Sequence, residues 1–425
     1  MDCIRNNNLN QNDVKDRRIK THFVVWDKKM PSEIGLERFR KVIERKYNKK
    51  FESYWDLHKW SIKNFPEFWK EIWNFFDIIV SKPYEKVFKK SGPSIIDNDW
   101  FCGSAFNIAE NFLRIRDNRP ALSYTDEFDN KGEMTFAEMF EEVKLYASAF
   151  RKHGLRKGDR IGGYISNIKE AVFAFLAALS IGAIWSAATP YLGPRALFNM
   201  LKVMEPKFLI VVDYFLFNEE EFFPVENLTM VTEGKFLQSK IPLHKRKARI
   251  LKKQLPKKKC SHNKRNPFFT DGIDAEPENI FLLRVCLQNY CTAKSLFHSL
   301  NIANPWDPKS SYRSSKFVEK IIVVHQTANT KNHRNFSSIP KGVLLEDFLE
   351  SGRSTNGSVP DLVFEQLPPN HPAIISFTSG TTGIPKGVVH SQVTFIGFMR
   401  DFVLHYDLKN GDVICNYCPV SVFIV

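Results

Sequence analysis

The sequence lacks the cysteine pattern of a disulfide-stabilised protein. Its 425 residues include seven cysteines, an odd number at irregular spacing. Disulfide frameworks are typical of short secreted domains with an even set of cysteines. The cysteine content therefore indicates a reducing compartment. Cys415 and Cys418 form a C-x-x-C pair, but a structural zinc site needs a second pair at usable spacing, so we interpret both as incidental thiols.

A targeting segment is also missing from the first residues. Residues 1–18 contain no apolar stretch of the kind found in secretory signals, and they carry acidic residues that transit peptides avoid. We therefore expect a cytoplasmic protein, located in the cytosol.

Only one segment raises the question of a membrane span. Residues 171–188 carry no charge over a length that just crosses a bilayer. Gly182 divides this run into a predicted helix from about Asn167 to Ile181 and a predicted strand from Ala183 to Ala187. A buried crossover helix that feeds an interior parallel strand has this pattern. We therefore expect no membrane span.

The basic excess of the chain comes almost entirely from one segment. Hydrophobic residues make up 43% and charged residues 25% of a chain with net charge +14, a globular composition. Residues 241–270 hold eleven basic and no acidic residues, and without them the net charge is +3. This run resembles a nucleic-acid patch. A solvated loop is the preferred interpretation, because the run lies where the regular pattern breaks, and we expect no nucleic-acid partner.

Hydrophobic periodicity predicts a helical N-terminal part followed by alternating helices and strands. Gly35–Tyr47 and Phe65–Ile79 are predicted helices, and the second carries its aromatic residues on one face. Thr135 and Glu138 predict a capping box, and Val343–Glu350 is a short predicted helix. From Thr135 onward, helices alternate with apolar strands, such as KFLIVVD and EKIIVVH, through short links. This alternation predicts an α/β fold with right-handed crossovers and a parallel sheet that helices cover on both faces.

The pattern also predicts domain boundaries. The alternation stops near Asn218 and resumes at Glu319, and the residues between lack a repeating apolar face that would offset the entropy of ordering them. The predicted organisation is a disordered tail at 1–25, a helical cap at 26–113, the first part of the α/β domain at 114–235, a basic and largely disordered insertion at 236–315, and the continued α/β domain at 316–425.

The segment from His371 to Ser391 carries the clearest chemical signal. A predicted buried strand, Ala373–Phe377, ends in a run of hydroxyls and glycines, and a lysine follows. Small residues allow close backbone approach to an anion, and successive N–H groups form anion-binding nests. The sequence therefore predicts a phosphate loop, with the candidate binding residues Thr378, Ser379, Gly380, Thr381, Thr382, Gly383 and Lys386.

Two other interpretations of this loop fit less well. A Walker A loop needs four residues between its glycines and a hydroxyl residue directly after its lysine, whereas Gly380 and Gly383 are separated by two residues and Gly387 follows Lys386. A flexible linker needs neither an interior-type strand before it nor Pro-Lys-Gly after it. His390, just beyond the loop, either faces the ligand or is a hydrogen-bonded residue of a strand end.

The segment TSGTTGIPKG resembles the phosphate-loop signature of the adenylate-forming superfamily. In the helical part, DLHKWSIKNFPEFWKEIWNF resembles the N-terminal cap of acetyl- and acetoacetyl-CoA synthetases, and WFCGSAFNIAENFL resembles the segment that follows it. Two further segments look most like the acetoacetyl-CoA synthetases: KGDRIGGYISNIKEAVFAFLAALSIGAIWSAATPYLG and FEQLPPNHPAIISFTSGTTGIPKGVVHS. The resemblance extends from about Trp26 to Asn416. It implies the N-terminal domain of an adenylate-forming enzyme, incomplete, with an N-terminal helical cap.

The resemblance implies an acyl-CoA ligase that acts on small molecules in fatty-acid and ketone-body metabolism. Acetoacetate would react with ATP, and coenzyme A would then receive the acyl group, with Mg²⁺ as the metal. By the same resemblance the candidate loop residues would hold the β- and γ-phosphates. No catalytic residue and no metal ligand is assigned, and the oligomeric state is not addressed.

The sequence departs from the family after Asp412. The family continues into segments for adenine, ribose and metal and into a C-terminal lid, whereas this sequence ends in ICNYCPVSVFIV. We therefore interpret the chain as truncated at the C-terminus and expect it to be inactive or nearly so. Three alternatives stay open: a ligase for another short acid, a nucleotide-binding fragment without turnover, and a basic nucleic-acid-binding protein.

Overall fold

The structure is a computed structural model that describes residues 34–93, 98–126, 130–217, 220–232, 284–287, 318–326, 339, 341–377 and 386–414. The predicted tail at 1–25 and nearly all of the predicted insertion at 236–315 lie outside these residues. Cys415 and Cys418 do so as well.

The N-terminal part is helical, as predicted. It contains two short strands and four helices: α1 (Gly35–Tyr47), α2 (Tyr54–Lys63), α3 (Phe65–Phe75), β1 (Lys86–Lys89), β2 (Asp99–Cys102) and α4 (Ile108–Phe112). The predicted end of the second helix, Ile79, was wrong. Helix α3 stops at Phe75, and Asp77 adopts a left-handed backbone with φ of 47°.

The remaining elements alternate along the chain. They are β3 (Pro120–Thr125), β4 (Lys131–Thr135), α5 (Phe136–Lys152), β5 (Arg160–Tyr164), α6 (Lys169–Ile181), β6 (Ile184–Ala188), α7 (Pro194–Met204), β7 (Phe208–Val212), β8 (Phe215–Phe217), β9 (Glu220–Phe222), α8 (Pro224–Thr232), β10 (Arg284–Leu287), β11 (Lys320–Val324), β12 (Gly342–Leu344), α9 (Leu345–Glu350), β13 (Pro372–Phe377), β14 (Gly387–Ser391), α10 (Thr394–Arg400), a π-helical turn (Asp401–His405) and β15 (Val413–Ile414).

A seven-stranded sheet forms the centre of the described structure. Its strand order is β12-β11-β7-β5-β6-β13-β14, and every neighbouring pair is parallel except β13 and β14. The prediction of a parallel sheet is therefore confirmed for six strands. The last strand is antiparallel because β14 returns directly from β13 instead of crossing over through a helix.

Helices cover both faces of this sheet, as predicted. In β7 all five residues are buried; Phe208, Ile210 and Val212 belong to one apolar cluster, and Leu209 and Val211 to the other. The first cluster includes residues of α5, α6 and α9, and the second includes residues of α7 and α8. Successive side chains of a strand point to opposite faces, so an interior strand must be apolar throughout.

Local signals place the helix boundaries. Thr135 and Glu138 form the predicted capping box, since the Glu138 N–H donates to Thr135 Oγ1 at 3.1 Å and the Thr135 N–H donates to Glu138 Oε2 at 2.7 Å. Gly182 ends α6 with φ of 75°, so the uncharged run is a buried helix followed by a buried strand. Within the described residues no helix is long and apolar enough to cross a membrane.

Two boundaries differ from their predictions. Helix α6 begins at Lys169 instead of Asn167, and the predicted helix Val343–Glu350 begins only at Leu345. The residues before Leu345 form β12, which pairs with β11. Edge pairing with a buried strand outweighs the weak helical signal of so short a segment.

A second sheet of four strands has the order β15-β10-β3-β4. Strand β10 lies inside the predicted insertion and pairs in parallel with β3, with Val285 opposite Leu122. Pairing over this distance along the chain leaves no local signal, and the sequence did not predict it.

Two buried carboxamides join the helical part to the sheet. Asn107 Nδ2 donates to the carbonyl oxygens of Leu179 at 3.0 Å and Glu365 at 2.8 Å. Gln392 is buried, and its Nε2 lies 3.2 Å from the Phe106 oxygen and close to two carbonyls before β13, at 2.9 and 2.8 Å. The carbonyl oxygens need a hydrogen-bond donor, and the amide N–H groups of Gln392 supply it.

We predict that Gln392→Glu lowers the free energy of unfolding by about 3 kcal/mol, because it places a buried carboxylate against carbonyl oxygens. Gln392→Met removes the donor without adding charge and should cost roughly half as much. Urea denaturation of both variants checks this. An equal loss in the two variants would contradict the electrostatic explanation.

Candidate functional site

The carboxyl ends of the parallel strands meet at one edge of the seven-stranded sheet. Strands β5, β6, β7, β11 and β13 all end there. From β5 the chain moves to β6 on one side, and β7 and β11 then lie on the other side, so the strand order reverses at β5. Open α/β sheets bind ligands at the carboxyl edge near such a reversal. This edge is therefore the candidate site.

The predicted phosphate loop joins the last two strands of this sheet. Residues Thr378, Ser379, Gly380, Thr381, Thr382 and Gly383 lie outside the described residues. Their flanks are described, and Phe377 pairs with Gly387 across the hairpin. Both ends of the loop are thereby held at the carboxyl end of β13. Lys386 is exposed and directly precedes β14.

Strands β13 and β14 pack closely against each other where they meet the loop. A Cβ atom on Gly387 would lie 3.0 Å from Ile375 Cγ2 and 3.6 Å from Phe377 Cε1. The glycine after Lys386 therefore lets β14 approach β13 next to the loop. On the other side, the Ser186 hydroxyl donates to the Ile375 carbonyl at 2.8 Å and joins β6 to β13.

A cleft of about 200 Å³ opens at the same edge beside β5, β7 and β11. Its lining combines the β3–β4 hairpin, the start of α6, and residues that follow β7 and β11. Three of its side chains are aromatic and two are lysines: Tyr124, Tyr214, Phe215, Lys131 and Lys169. Asp126 and Glu170 balance the two lysines, so the lining is aromatic and of mixed charge, which suits a planar ligand with polar groups.

A carboxylate and an imidazole connect two strand ends beside this cleft. Asp213 Oδ2 lies 2.7 Å from His325 Nδ1, and Asp213 Oδ1 accepts from the Gln326 N–H at 3.1 Å. The Ser166 hydroxyl donates to Gln326 Oε1 at 3.2 Å. These polar side chains follow β7, β11 and β5, so the sheet brings together residues that are distant in sequence. The sequence reasoning missed this group, although Asp213 and His325 are the last residues of the predicted buried strands KFLIVVD and EKIIVVH.

The start of α6 adds a carboxyl group with altered acidity. Glu170 lies in the first turn of α6 and lines the cleft. Burial raises the pKa of its carboxyl group above the ordinary value, and the nearby carboxylates of Glu142 and Glu346 act in the same direction. Beside it, Lys169 Nζ lies 5.1 Å from the centre of the Tyr124 ring.

The two histidines of the hairpin region differ in their contacts. His371 precedes β13, and its Nε2 lies 2.8 Å from the Gly182 oxygen. His390 pairs with Ile374 inside β14 and is partly buried, and burial lowers the pKa of its imidazole. Position in a strand, with a cross-strand partner, favours the structural interpretation of His390. Trp185, which lies opposite Ile374 on β6, is 4% exposed and belongs to the core.

The family comparison covers most of the chain. The model described as AMP-binding enzyme matches residues 110–424, and the model described as acetyl-coenzyme A synthetase N-terminus matches residues 54–112.

Curated relatives match nearly the whole of this chain but are themselves about twice as long. An acetoacetyl-CoA synthetase from Rattus norvegicus is 31% identical over 94% of this chain and 47% of the relative. One from Macaca fascicularis is 30% identical over 93% of this chain and 47% of the relative. A malonamoyl-CoA synthetase from Penicillium aethiopicum is 24% identical over 92% of this chain and 44% of the relative. The chain thus spans about half the length of the curated relatives it matches.

A solved structure supports the fold. The acetoacetyl-CoA synthetase from Streptomyces lividans superposes with a TM-score of 0.64 and 23% identity, over 92% of this chain and 46% of that one. The adenylate-forming fold predicted from the sequence is therefore confirmed.

We predict that Glu170→Gln makes the unfolding temperature less sensitive to pH at pH values above the ordinary pKa of glutamate. Because the pKa of Glu170 is raised in the folded chain, its contribution to stability is complete below the unfolded pKa and falls as pH rises through the folded pKa. Thermal unfolding from pH 4 to pH 8 measures this.

The matched control is Glu141→Gln on α5, an exposed carboxylate that pairs with Lys144 at 3.2 Å. This control should keep the pH dependence of the unaltered chain. A pH profile that is identical in Glu170→Gln and Glu141→Gln would show that burial of Glu170 has no energetic effect.

Proposed function

Because the chain belongs to the AMP-binding enzyme family, we propose that it is an acyl-CoA ligase domain that binds ATP at the β13–β14 hairpin. The observation that carries this proposal is the pairing of Phe377 with Gly387 at the carboxyl edge. This pairing fixes both ends of a loop rich in hydroxyls and glycines at the same sheet edge as the strand-order reversal, two strands away from it. The family resemblance of the loop supplies its ligand, the terminal phosphates of ATP.

The proposed reaction has two steps. A carboxylate oxygen of acetoacetate attacks the α-phosphorus of ATP, and the bond to the β-phosphate oxygen breaks, which yields an acyl-adenylate and pyrophosphate. The sulfur of coenzyme A then attacks the acyl carbon, the bond to the AMP oxygen breaks, and the thiol proton is released. Negative charge accumulates on phosphate oxygens in the first step, so fixed hydrogen-bond donors and cations lower its barrier.

The proposed roles follow from the chemistry of the side chains. Thr378, Ser379, Gly380, Thr381, Thr382 and Gly383 offer hydroxyl and backbone N–H donors to the β- and γ-phosphates. Lys386 adds a positive charge at the point where the loop meets β14. A lysine at the rigid end of a hairpin loses less freedom on binding than one in a free loop, so its charge is partly preorganised.

The relatives' names suggest the acid. Two relatives at 30 and 31% identity are named acetoacetyl-CoA synthetases, and acetoacetate is therefore the proposed substrate. A role in ketone-body and fatty-acid metabolism in the cytosol is part of the same proposal. The malonamoyl-CoA synthetase among the relatives favours a second candidate, a ligase for another short acid.

The metal and coenzyme A receive no residues in this proposal. Among the residues that the structure describes, no group of three or more His, Cys, Asp and Glu is placed to hold a metal ion. Mg²⁺, which the family resemblance implies, is therefore given no residues and no step. ATP and coenzyme A are proposed as substrates on the strength of the family, and acetoacetate on the strength of the relatives.

We predict that Lys386→Met weakens ATP binding at least tenfold, because a charge-assisted contact to phosphate is lost. In a chain that turns over, acid-dependent pyrophosphate release should fall on the order of 10²-fold. Titration calorimetry with ATP measures binding, and a coupled pyrophosphate assay measures turnover.

Lys409→Met is the control, since Lys409 is an exposed lysine that pairs with Asp407 at 3.3 Å, away from the hairpin. If the chain binds ATP but releases no pyrophosphate with any short acid as substrate, it is a nucleotide-binding domain without turnover. Equal ATP affinity in the Lys386 and Lys409 variants would reject the proposed nucleotide site.

A further inference from the structure

Exposed aromatic side chains concentrate on one surface of the helical part. Five of the ten exposed large hydrophobic side chains in the described residues lie on α2 and the π-helical turn or directly beside that turn: Tyr54, Trp55, Ile62, Phe402 and Tyr406. Trp55, Ile62 and Tyr406 are 64%, 63% and 71% exposed. We call these five residues the aromatic patch. Contiguous exposed apolar surface marks interaction sites on monomeric proteins.

Ring contacts make this patch continuous. The Tyr54 ring lies 5.4 Å from Trp55 and 6.4 Å from the His405 ring, so α2 meets the π-helical turn. On that turn, Phe402 and Tyr406 lie 5.9 Å apart. Ile62 is seven residues beyond Trp55 and therefore lies on the same face of α2, two turns along. Helix α2 buries only Leu57, so most of its apolar surface stays exposed.

Basic residues surround the patch. Lys49, Lys50, Lys59 and Lys63 are all exposed, and in the described part of the chain none of them forms an ion pair. Residues 34–93 hold fourteen basic and eight acidic residues, a net charge of +6. This charge excess is independent of residues 241–270, which account for most of the net charge of the chain.

The acidic groups near the patch are largely bound within the protein. The Asp56 carboxylate accepts from the Ser53 N–H at 2.9 Å and from its hydroxyl at 2.8 Å. The Asp407 carboxylate accepts from the Gly35 N–H at 2.7 Å. Glu52 is an exposed acid beside the lysines. Asp407 also pairs with Lys409 at 3.3 Å, and the four lysines outnumber Glu52 and Asp56, so the patch has an excess of positive charge that favours an anionic partner.

We propose that the aromatic patch and its four lysines bind the surface of an anionic lipid bilayer. Tryptophan and tyrosine settle at the headgroup level of membranes, and lysines beside them attract anionic lipids. A bound peptide needs a groove or a free sheet edge, whereas the linings of the clefts of about 200 and 420 Å³ in the described residues include no residue of the patch.

Charge argues against two other occupants. A second copy would bring the four exposed lysines of one surface against those of another. The residues before Ile34 hold seven basic and five acidic residues, so this segment also has a positive net charge. The bilayer proposal does not depend on the proposed ligase activity.

The test is co-sedimentation of the 425-residue chain with vesicles of phosphatidylcholine, with and without phosphatidylserine. We expect binding only with phosphatidylserine, and weaker binding at high salt. The pair Lys59→Gln with Lys63→Gln should reduce binding on the order of tenfold. The pair Trp55→Ser with Tyr406→Ser should reduce it by at least as much, because the aromatic anchors are lost.

The matched controls are Lys152→Gln on α5 and Val363→Ser, which remove an exposed lysine and an exposed apolar side chain elsewhere. Both should bind vesicles like the unaltered chain. The proposal is overturned by absence of binding to phosphatidylserine, by equal binding of all variants, or by full competition from inorganic phosphate. The proposal is also overturned if the chain forms a dimer through the patch. In that case the double variant Trp55→Ser with Tyr406→Ser would dissociate the dimer but bind vesicles like the unaltered chain.

Discussion

The parallel alignment of β5, β6, β7, β11 and β13 is the constraint on which the candidate site depends. Parallel pairing places all five carboxyl ends at one edge, where backbone groups beyond the strands are no longer used by the sheet. The same edge receives the β13–β14 hairpin, the cleft of about 200 Å³ and the Asp213–His325 contact. An antiparallel sheet would distribute these features over two edges.

The sequence predicted the elements of this edge because their signals are local. The stretches FLIVV in KFLIVVD and IIVV in EKIIVVH are apolar at every position, which is typical of strands buried on both faces. Gly182 and the Thr135–Glu138 pair mark helix boundaries through backbone geometry and hydrogen bonds that involve only near neighbours. The loop was identified from the same kind of local evidence, since its residue types suit an anion before any fold is known.

Local sequence patterns did not predict contacts between residues that are distant in the sequence. Asp213 and His325 meet only because β7 and β11 are neighbours, and Asn107 reaches the Glu365 carbonyl only after the helical part has packed on the sheet. The four tryptophans of α2 and α3 show the same limit. Trp73 is buried against Phe101 at 4.2 Å, whereas Trp55 is exposed, because α2 contacts the core on one side only. Periodicity places side chains on a helix face but does not tell which face is covered.

Amide hydrogen exchange with and without ATP tests the central claim most directly. If the hairpin holds the nucleotide, ATP should slow exchange in peptides that span residues 372–391 and leave β1 and β2 unchanged. Slower exchange confined to the helical part, or no change in the hairpin at saturating ATP, would contradict the claim that the carboxyl edge at β13 is the nucleotide site.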